Sequence, residues 1–212
     1  MDMVSYLVTA AVAYLLGSIP TGFVVAKAKG LDIRNVGSGN IGATNVLRML
    51  GKPAGIFVLV IDGLKGYVAC AWASDLILHY VAAKNTDQEY LRIVAGVFVV
   101  LGHNYTCWLH FKGGKGVATS AGVLAALVPW TFLIGLSLWI AVFALTRYVS
   151  LASIAAAFSL PLATWLSGYS VKLILITAAM GALAIYKHKG NIERLLHGTE
   201  SRFGAKPREV AR

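Results

Sequence analysis

Residues 53–81 read PAGIFVLVIDGLKGYVACAWASDLILHYV, an apolar segment that carries Asp62 and Lys65 near its centre. A helix crosses the hydrocarbon core of a bilayer with roughly 20 predominantly apolar residues, so this segment is long enough to span a membrane. Further apolar segments lie at 4–26, 91–111, 117–130, 132–146, 151–168 and 171–188. The sequence therefore predicts an all-α polytopic membrane protein with seven transmembrane helices.

The composition of the chain supports the same class. Of the 212 residues, 58% are hydrophobic and 13% are charged, and the mean hydropathy is +0.71. A soluble domain has about a quarter of its residues charged. Residues 1–212 are therefore expected to form a single integral membrane domain with a short basic tail at about 190–212. Cys70 and Cys107 both lie in apolar segments without metal-ligand spacing, so no metal site and no cofactor is expected.

The distribution of charge predicts the orientation in the membrane. The chain has 19 basic and 9 acidic residues and a net charge of +10. With seven spans, the loops on one side hold nearly all of the basic residues, whereas the other side holds only Lys84, Arg92 and Lys172. Because basic loops stay in the cytoplasm, the N-terminus is expected outside and the C-terminus in the cytoplasm. The tail is expected to rest on anionic membrane lipids, and no nucleic-acid partner is expected.

Two prolines predict interruptions of the helices. GSIP at 17–20 predicts a kink in the first span, because proline lacks the backbone N–H that a continuous helix needs. VPW at 128–130 predicts a turn between the fourth and fifth spans. The alternative at that position is one long tilted helix over 117–146.

Two glycine-rich polar loops interrupt the apolar sequence, GSGNIGATN at 37–45 and KGGKG at 112–116. Polar loops of this kind are not stable in hydrocarbon, so both are expected at the cytoplasmic membrane edge or in a cavity there. Arg34, Arg48 and Lys52 flank the first loop, and exposed backbone amides beside fixed cations make a good phosphate site. The alternatives are a flexible polar turn at 37–45 and a topology signal at Lys115.

The known templates for such loops do not fit. GSGNIG at 37–42 has the spacing of a dinucleotide-binding loop but precedes a membrane helix rather than a βαβ unit. KGGKG lacks the first glycine and the Ser or Thr of a nucleoside-triphosphate loop. The sequence also has no Gly-x-Ser-x-Gly elbow and no His-x4-Asp dyad. An enzyme here would lack an obvious general base and would suit a substrate with a good leaving group.

Several polar residues lie three apart, a spacing that places two side chains on one face of a helix. Asp62 and Lys65 are expected to form a structural ion pair that faces the bundle interior, outside the catalytic set. His188 with Asn191, and Ser150 with Ser153, are two further pairs, for which helix-dipole complementarity and N-capping are the simpler explanations. His103 and His110 are interpreted as interfacial polar residues.

Motifs along nearly the whole chain resemble those of one family. They are GSIPTG at 17–22, RNVGSGNIGATNVLR at 34–48, GHNY at 102–105, KGGKGVAT at 112–119, RYVSLAS at 147–153 and YKHKGNI at 186–192. In combination they resemble the bacterial acyl-phosphate:glycerol-3-phosphate acyltransferases of phospholipid synthesis. The resemblance implies a seven-helix enzyme of the bacterial cell inner membrane, with its N-terminus outside and its active site at the cytoplasmic face.

The resemblance also implies a reaction and a set of site residues. A fatty acyl group would pass from acyl phosphate to the 1-hydroxyl of sn-glycerol 3-phosphate, giving lysophosphatidic acid and phosphate. A soluble acyl-phosphate synthase is implied as a partner. Ser38, Arg48 and Lys115 are expected to be catalytic. Substrate-binding residues are expected at Gly39, Asn40, Thr44, Asn45, Gly113, Gly114, Ser153, His188 and Asn191, with Gly113 and Gly114 acting through their amides.

The alternative from another class is a transporter or channel for a small phosphate ester, since loops at an interface can also gate a path. Transporters usually place broken helices and the substrate site near the bilayer midplane, often within inverted repeats. In this sequence the polar motifs are expected on one face, and no convincing repeat is present. The pattern therefore favours the enzyme.

Overall fold

The structure, a computed structural model, describes residues 3–82 and 86–204. Lys84, which entered the orientation argument, and the tail beyond Gly204 lie outside these residues. The described part of the chain is helical and contains no β-strand. Its α-helices are α1 (Met3–Ser18), α2 (Thr21–Lys27), α3 (Ala43–Leu50), α4 (Lys52–Val68), α5 (Ser74–Tyr80), α6 (Gln88–Asn104), α7 (Val117–Leu127), α8 (Pro129–Thr146), α9 (Val149–Leu166), α10 (Val171–Lys187) and α11 (Lys189–Leu196).

Several of these helices can cross a membrane. Within the described residues, four segments are long and apolar enough: Met3–Lys27, Lys52–Tyr80, Pro129–Thr146 and Val149–Leu166. The pair α10 and α11, bent by 58°, makes a fifth if it counts as one span, and α7 is apolar but shorter. The chain thus has an all-helical integral membrane fold. The count of seven spans and the orientation of the termini stay predictions.

Both predicted helix breaks are confirmed. α1 ends at Ser18 and α2 begins at Thr21, with Pro20 between them. α7 ends at Leu127 and α8 begins at Pro129, so the alternative of one helix over 117–146 is wrong. Val128 has a φ of −140°, outside the helical range, and the proline after it disfavours a helical conformation there.

One long helical segment contains a wide turn. A π-helix at Ala69–Ala73 joins α4 to α5 without a break. Short 3₁₀-helices at Ile33–Asn35 and Cys107–Leu109 lie in the connections before α3 and α7.

The chain divides into two compact units, Met1–Phe132 and Leu133–Arg212, and the single domain expected from the sequence stays a prediction. In the first unit, α1 packs mainly on α6, and α4 packs on α7 and α3. Both main contacts depend on glycine. A Cβ at Gly17 would overlap the carbonyl oxygen of Val99, and a Cβ at Gly66 would overlap that of Thr119. Membrane helices approach this closely only where small residues line the contact.

The interior of the first unit holds a buried polar cluster, which we call the Asp62 cluster: Thr21, Asp62, Lys65 and His103. Lys65 Nζ lies 2.9 Å from Asp62 Oδ1, which confirms the predicted ion pair. Thr21 Oγ1 donates to the same oxygen at 3.0 Å. His103, expected at the interface, is instead buried, and its Nδ1 lies 3.7 Å from Asp62 Oδ1. The expectation was wrong because α6 packs in the unit interior, a long-range contact that residue spacing does not reveal.

In the second unit, α9 packs on α10. The hydroxyl oxygens of Thr164 and Thr177 lie 2.9 Å apart in that contact, so each buried hydroxyl has a partner. In α8, the rings of Trp139 and Phe143 stack with their centroids 5.1 Å apart. Much of α8 is exposed, as is typical of a helix whose surface faces lipid.

The close contact of α4 with α7 generates a test of the fold. We expect Gly66→Ala to destabilise the protein by about 1–3 kcal/mol, because the new methyl group would overlap a main-chain carbonyl. Gly63→Ala is the matched control one turn earlier, where a Cβ would lie 3.7 Å from the carbonyl oxygen of Ala118, an ordinary contact. Thermal unfolding in detergent micelles measures both variants. Equal melting temperatures would contradict the proposed packing.

Candidate functional site

The first polar loop is folded around the side chain of Asn45, which is 2% exposed. Its Nδ2 donates to the carbonyl oxygens of Ile33 at 3.3 Å, Val36 at 3.1 Å and Asn40 at 2.9 Å. Its Oδ1 accepts from the backbone N–H of Ser38 at 3.0 Å. Asn45 was expected to bind substrate. The structure shows that its amide holds the loop, so any effect on substrate would pass through the loop.

Glycine is required at the turn of this loop. Gly37 and Gly39 have φ values of +59° and +68°, in the left-handed region that other residues rarely adopt. A Cβ at Gly37 would also overlap Asn45 Oδ1. The first loop is therefore a defined turn, and the alternative of a flexible polar turn does not fit its hydrogen bonds.

The loop leads directly into α3. Gly42 precedes the helix, and its N–H donates to Asn40 Oδ1 at 2.8 Å. Thr44 lies in the first turn of α3, where backbone N–H groups point out of the helix end and suit an anion. Ser38 is exposed in the loop, and Arg48 is exposed on the last turn of α3. This geometry is compatible with the roles predicted for Ser38, Thr44 and Arg48, which stay predictions.

One of the flanking cations is paired within the protein. Arg34 Nη2 lies 2.6 Å from Asp32 Oδ2, and the backbone N–H of Arg34 donates to Asp32 Oδ1 at 3.0 Å. The side-chain hydrogen bonds from Arg34, followed by its backbone N–H, lower the pKa of Asp32 to about 2. Asp32 therefore offsets the charge of Arg34, which makes Arg34 a weaker candidate for binding an anion at this loop.

The second polar loop is fastened to the end of α6. The N–H of Gly113 donates to the carbonyl oxygen of Asn104 at 3.2 Å, and that of Gly114 donates to the carbonyl oxygen of His103 at 3.0 Å. The expectation of bare amides at Gly113 and Gly114 is thus corrected, because both N–H groups already have acceptors. Lys115 follows directly and is half-buried, and the positive φ of +78° at Gly116 turns the chain into α7.

Both loops of the first unit rest on one apolar cluster. Leu109, three residues before Lys112, is buried in the same cluster as Ile41 and Val46. Ile41 lies within the first loop, and Val46 lies on α3. The two loops are therefore anchored by shared packing at their bases, in agreement with the expectation that both lie on one side of the membrane.

In the second unit, Asn191 and Ser150 contact a carboxylate that sequence reasoning missed. Glu200 Oε1 accepts from Ser150 Oγ and from Asn191 Nδ2, both at 2.7 Å, and Glu200 Oε2 accepts from Arg194 Nε at 2.7 Å. Ser150 therefore binds Glu200, a partner that the N-capping explanation did not include. The sequence does not single out Glu200, which is one of three glutamates in the basic tail, with Glu193 and Glu209.

The pKa of Glu200 reflects these contacts. Burial of the carboxyl raises its pKa, but the hydrogen bonds from Ser150, Asn191 and Arg194 outweigh that effect and lower it overall. The carboxylate form is therefore the one that holds Asn191 in place at neutral pH.

Ser153 and His188 are also held by the chain. Ser153 Oγ donates to the carbonyl oxygen of Val149 at 2.8 Å and accepts from Trp139 Nε1 at 3.1 Å. His188 Nδ1 lies 2.7 Å from the carbonyl oxygen of Ala184. Because a carbonyl only accepts, this contact implies a proton on Nδ1 and leaves Nε2 of the neutral ring as an acceptor.

The start of the tail folds back on the second unit. The N–H of Phe203 donates to the carbonyl oxygen of Arg147 at 2.8 Å, and its ring contacts Phe143 edge-on at 5.4 Å. Arg202 Nε donates to the hydroxyl of Tyr148 at 3.0 Å. Arg202 and Phe203 therefore pack on the protein rather than on lipid. The rest of the tail for which lipid contact was expected lies largely outside the described residues.

Potential metal ligands are scattered. Among residues 3–82 and 86–204, no group of three or more His, Cys, Asp or Glu side chains is arranged to hold a metal ion.

Comparison with known sequences identifies relatives over most of the chain. A family described as glycerol-3-phosphate acyltransferase matches residues 7–198. A glycerol-3-phosphate acyltransferase of Aquifex aeolicus is 46% identical over 192 residues, 90% of this chain and 95% of that protein. One from Geobacter sulfurreducens is 46% identical over 203 residues, 96% of this chain and 100% of that protein.

Comparison with solved structures gives the same result. The crystal structure of PlsY (YgiH), an integral membrane glycerol 3-phosphate acyltransferase, in its glycerol 3-phosphate form has a TM-score of 0.84 and 46% identity, and the match covers 94% of this chain and 96% of that one. The lysophosphatidic acid form of PlsY has a TM-score of 0.81 and 44% identity over the same shares.

The role of Asn45 in holding the first loop can be tested. Asn45→Asp would turn a donor that serves three carbonyl oxygens into an acceptor, and we expect a loss of about 1–3 kcal/mol in stability. Asn35→Asp makes the same chemical change on an exposed side chain and is expected to behave like the wild type. Thermal unfolding and limited proteolysis of the loop compare the two. A stable, protease-resistant Asn45→Asp variant would contradict this role.

The carboxylate of Glu200 predicts a dependence of stability on pH. Its folded-state pKa lies below the ordinary value of 4.5, so its contribution is present above that pH and is lost as the pH falls through the folded value. We expect Glu200→Gln to lower the melting temperature at pH 7. The difference in melting temperature between this variant and the wild type should become smaller under acid conditions. Glu193→Gln, at an exposed glutamate of α11, is the control. A gap that is independent of pH would refute the charge-based contact.

Proposed function

The chain belongs to the glycerol-3-phosphate acyltransferase family, and we propose that it transfers a fatty acyl group from acyl phosphate to the 1-hydroxyl of sn-glycerol 3-phosphate. The products are lysophosphatidic acid and inorganic phosphate. The observation that carries the proposal is the similarity to PlsY in its glycerol 3-phosphate form, at 46% identity over 94% of this chain. The family named from the sequence motifs is confirmed, and it replaces the alternative of a transporter or channel.

The proposed reaction suits a site without an obvious strong base. The hydroxyl oxygen of glycerol 3-phosphate attacks the carbonyl carbon of acyl phosphate, and the bond from that carbon to the phosphate oxygen breaks. The hydroxyl proton ends on the released phosphate. Acyl phosphate is a mixed anhydride with a good leaving group, so the protein has to supply mainly orientation and stabilisation of negative charge.

The polar loops of the first unit would supply that charge stabilisation. Lys115 would bind the phosphate of acyl phosphate and stabilise the charge that develops on it. Since the amides of Gly113 and Gly114 donate to main-chain carbonyls, these glycines would shape the loop that presents Lys115. Ser38 and Arg48 would contact a substrate phosphate beside the first turn of α3. Gly39, Asn40 and Thr44 would form the surrounding pocket.

The polar residues of the second unit would bind glycerol 3-phosphate. His188 Nε2 is an acceptor in the tautomer that the Ala184 contact implies, and it suits the hydroxyl of that substrate. Asn191 and Ser153 would add hydrogen bonds. Glu200 would keep Asn191 in a fixed rotamer through its 2.7 Å contact.

The cellular setting follows from the same proposal. The protein would lie in the bacterial inner membrane with its N-terminus outside and its reaction at the cytoplasmic face. The acyl chain of the donor would stay among lipids while the soluble acceptor enters from water. A soluble acyl-phosphate synthase would supply the donor.

One assay tests the proposed function directly. Purified protein in detergent is given glycerol 3-phosphate with acyl phosphate, acyl-CoA or acyl carrier protein as the donor, and phosphate release and lysophosphatidic acid are measured. We expect both products only with acyl phosphate and only when both substrates are present. Counterflow of labelled glycerol 3-phosphate in liposomes without a donor would instead support transport and overturn the proposal.

The two lysines of the second loop provide a matched test of its chemistry. We expect Lys115→Ala to lower kcat/KM by about 100-fold or more, because a charge that stabilises the transition state is lost. Lys112→Ala removes the same charge three residues earlier from an exposed side chain and is expected to stay within about twofold of wild type. Steady-state kinetics with both substrates measure the effect. Equal losses in the two variants would mean that only general positive charge matters.

A further inference from the structure

His103 supports the second loop with both its main chain and its side chain. It lies at the end of α6 and is 5% exposed. Its carbonyl oxygen accepts from the N–H of Gly114 at 3.0 Å. A Cβ at Gly114 would overlap His103 Nε2, so the imidazole lies directly against this glycine, one residue before Lys115.

The other edge of the imidazole faces the remaining members of the Asp62 cluster. His103 Nδ1 faces Asp62 Oδ1 at 3.7 Å, and the same oxygen contacts Lys65 Nζ and Thr21 Oγ1. The charged side chains of Asp62 and Lys65 are 3% and 4% exposed. The ring thus lies between charged groups on one side and the loop on the other.

The cluster also reaches the break between α1 and α2. Lys65 Nζ donates to the carbonyl oxygen of Ile19 at 2.9 Å, next to Pro20. Thr21, which donates to Asp62, is the first residue of α2. Two helix ends and the second loop therefore share one set of polar contacts.

We propose that His103 is a positioning residue for Lys115, and that its imidazole, which lies between Asp62 and Gly114, fixes the position of Gly114 and the direction of Lys115. The inference rests on the proposed function, in which Lys115 binds a substrate phosphate. A buried ion pair contributes little to stability compared with well-packed apolar residues. Ionisable residues at membrane depth typically mark functional regions.

The geometry separates this role from one in folding. The loop remains tied to α6 through the N–H groups of Gly113 and Gly114, which bind main-chain carbonyls that no side-chain substitution removes. Asp62 keeps Lys65 and Thr21 as partners when the imidazole is absent. Loss of the ring would therefore leave the fold in place and give Gly114 room to move.

The experiment is a double-substitution cycle on the full-length protein in detergent. We expect His103→Ala to lower kcat/KM by about tenfold or more, since a shift of about 1 Å at a reacting group has costs of this size. His103→Ala and Lys115→Arg should change the KM of the same substrate most. Gly114→Ala should also lower kcat/KM, but in the His103→Ala background it should cost little, because its methyl group occupies the vacated space.

Gly113→Ala is the matched control for the cycle. Its Cβ would overlap the main-chain carbonyl oxygen of His103, which remains after truncation of the ring, so its cost should be the same in both backgrounds. If the losses from Gly114→Ala and His103→Ala multiply as independent effects, the proposal is wrong. Where His103→Ala does not fold, His103→Asn takes its place, because it keeps a polar group for Asp62 and still uncovers Gly114.

A second control separates positioning from general stability. Thr106→Val removes a buried hydrogen bond of 2.6 Å to the carbonyl oxygen of Ser18 and should lower the melting temperature with kcat/KM unchanged. A fall in kcat/KM that follows the melting temperature in both Thr106→Val and His103→Ala would overturn the positioning role. Wild-type protein without activity would overturn the proposed function itself, whereas normal turnover in His103→Ala would overturn only this inference.

Discussion

The structure depends on one constraint, that polar groups at membrane depth must find their partners inside the protein. The Asp62 carboxylate satisfies this constraint for several elements at once, since one oxygen serves Thr21 and Lys65 and faces His103. The end of α1, the start of α2, the middle of α4 and the end of α6 meet there as a result. The close contact at Gly17 brings α1 near enough to α6 for these polar contacts to form.

Many polar groups of these segments make hydrogen bonds with the chain itself. Asn45, Asn40 and Glu200 do so through their side chains, and Gly113 and Gly114 do so through their backbone amides. The predicted site residues Ser38 and Lys115 lie in the loops that these contacts hold in shape. Much of each motif therefore serves to fix the conformation of its loop.

Local sequence patterns predicted the helical membrane fold, the breaks at Pro20 and Pro129 and the Asp62–Lys65 pair, because each depends on residues within one turn or one span. They did not predict the burial of His103 beside Asp62 or the contact of Glu200 with Ser150. In both cases the two partners lie far apart in the sequence. Contacts over such distances follow from how helices pack. The family motifs located the predicted site residues, but they could not show that the Gly113 and Gly114 amides already have acceptors.

The contact between Glu200 and Ser150 also constrains how the chain threads the bilayer. Ser150 lies at the start of α9, and Glu200 follows α11, so a 2.7 Å hydrogen bond requires both to be on the same side of the membrane. The chain between them must then cross an even number of times, which α9 and α10 satisfy as a hairpin. This constraint on the number of crossings follows from the hydrogen bond and is independent of the count of basic residues.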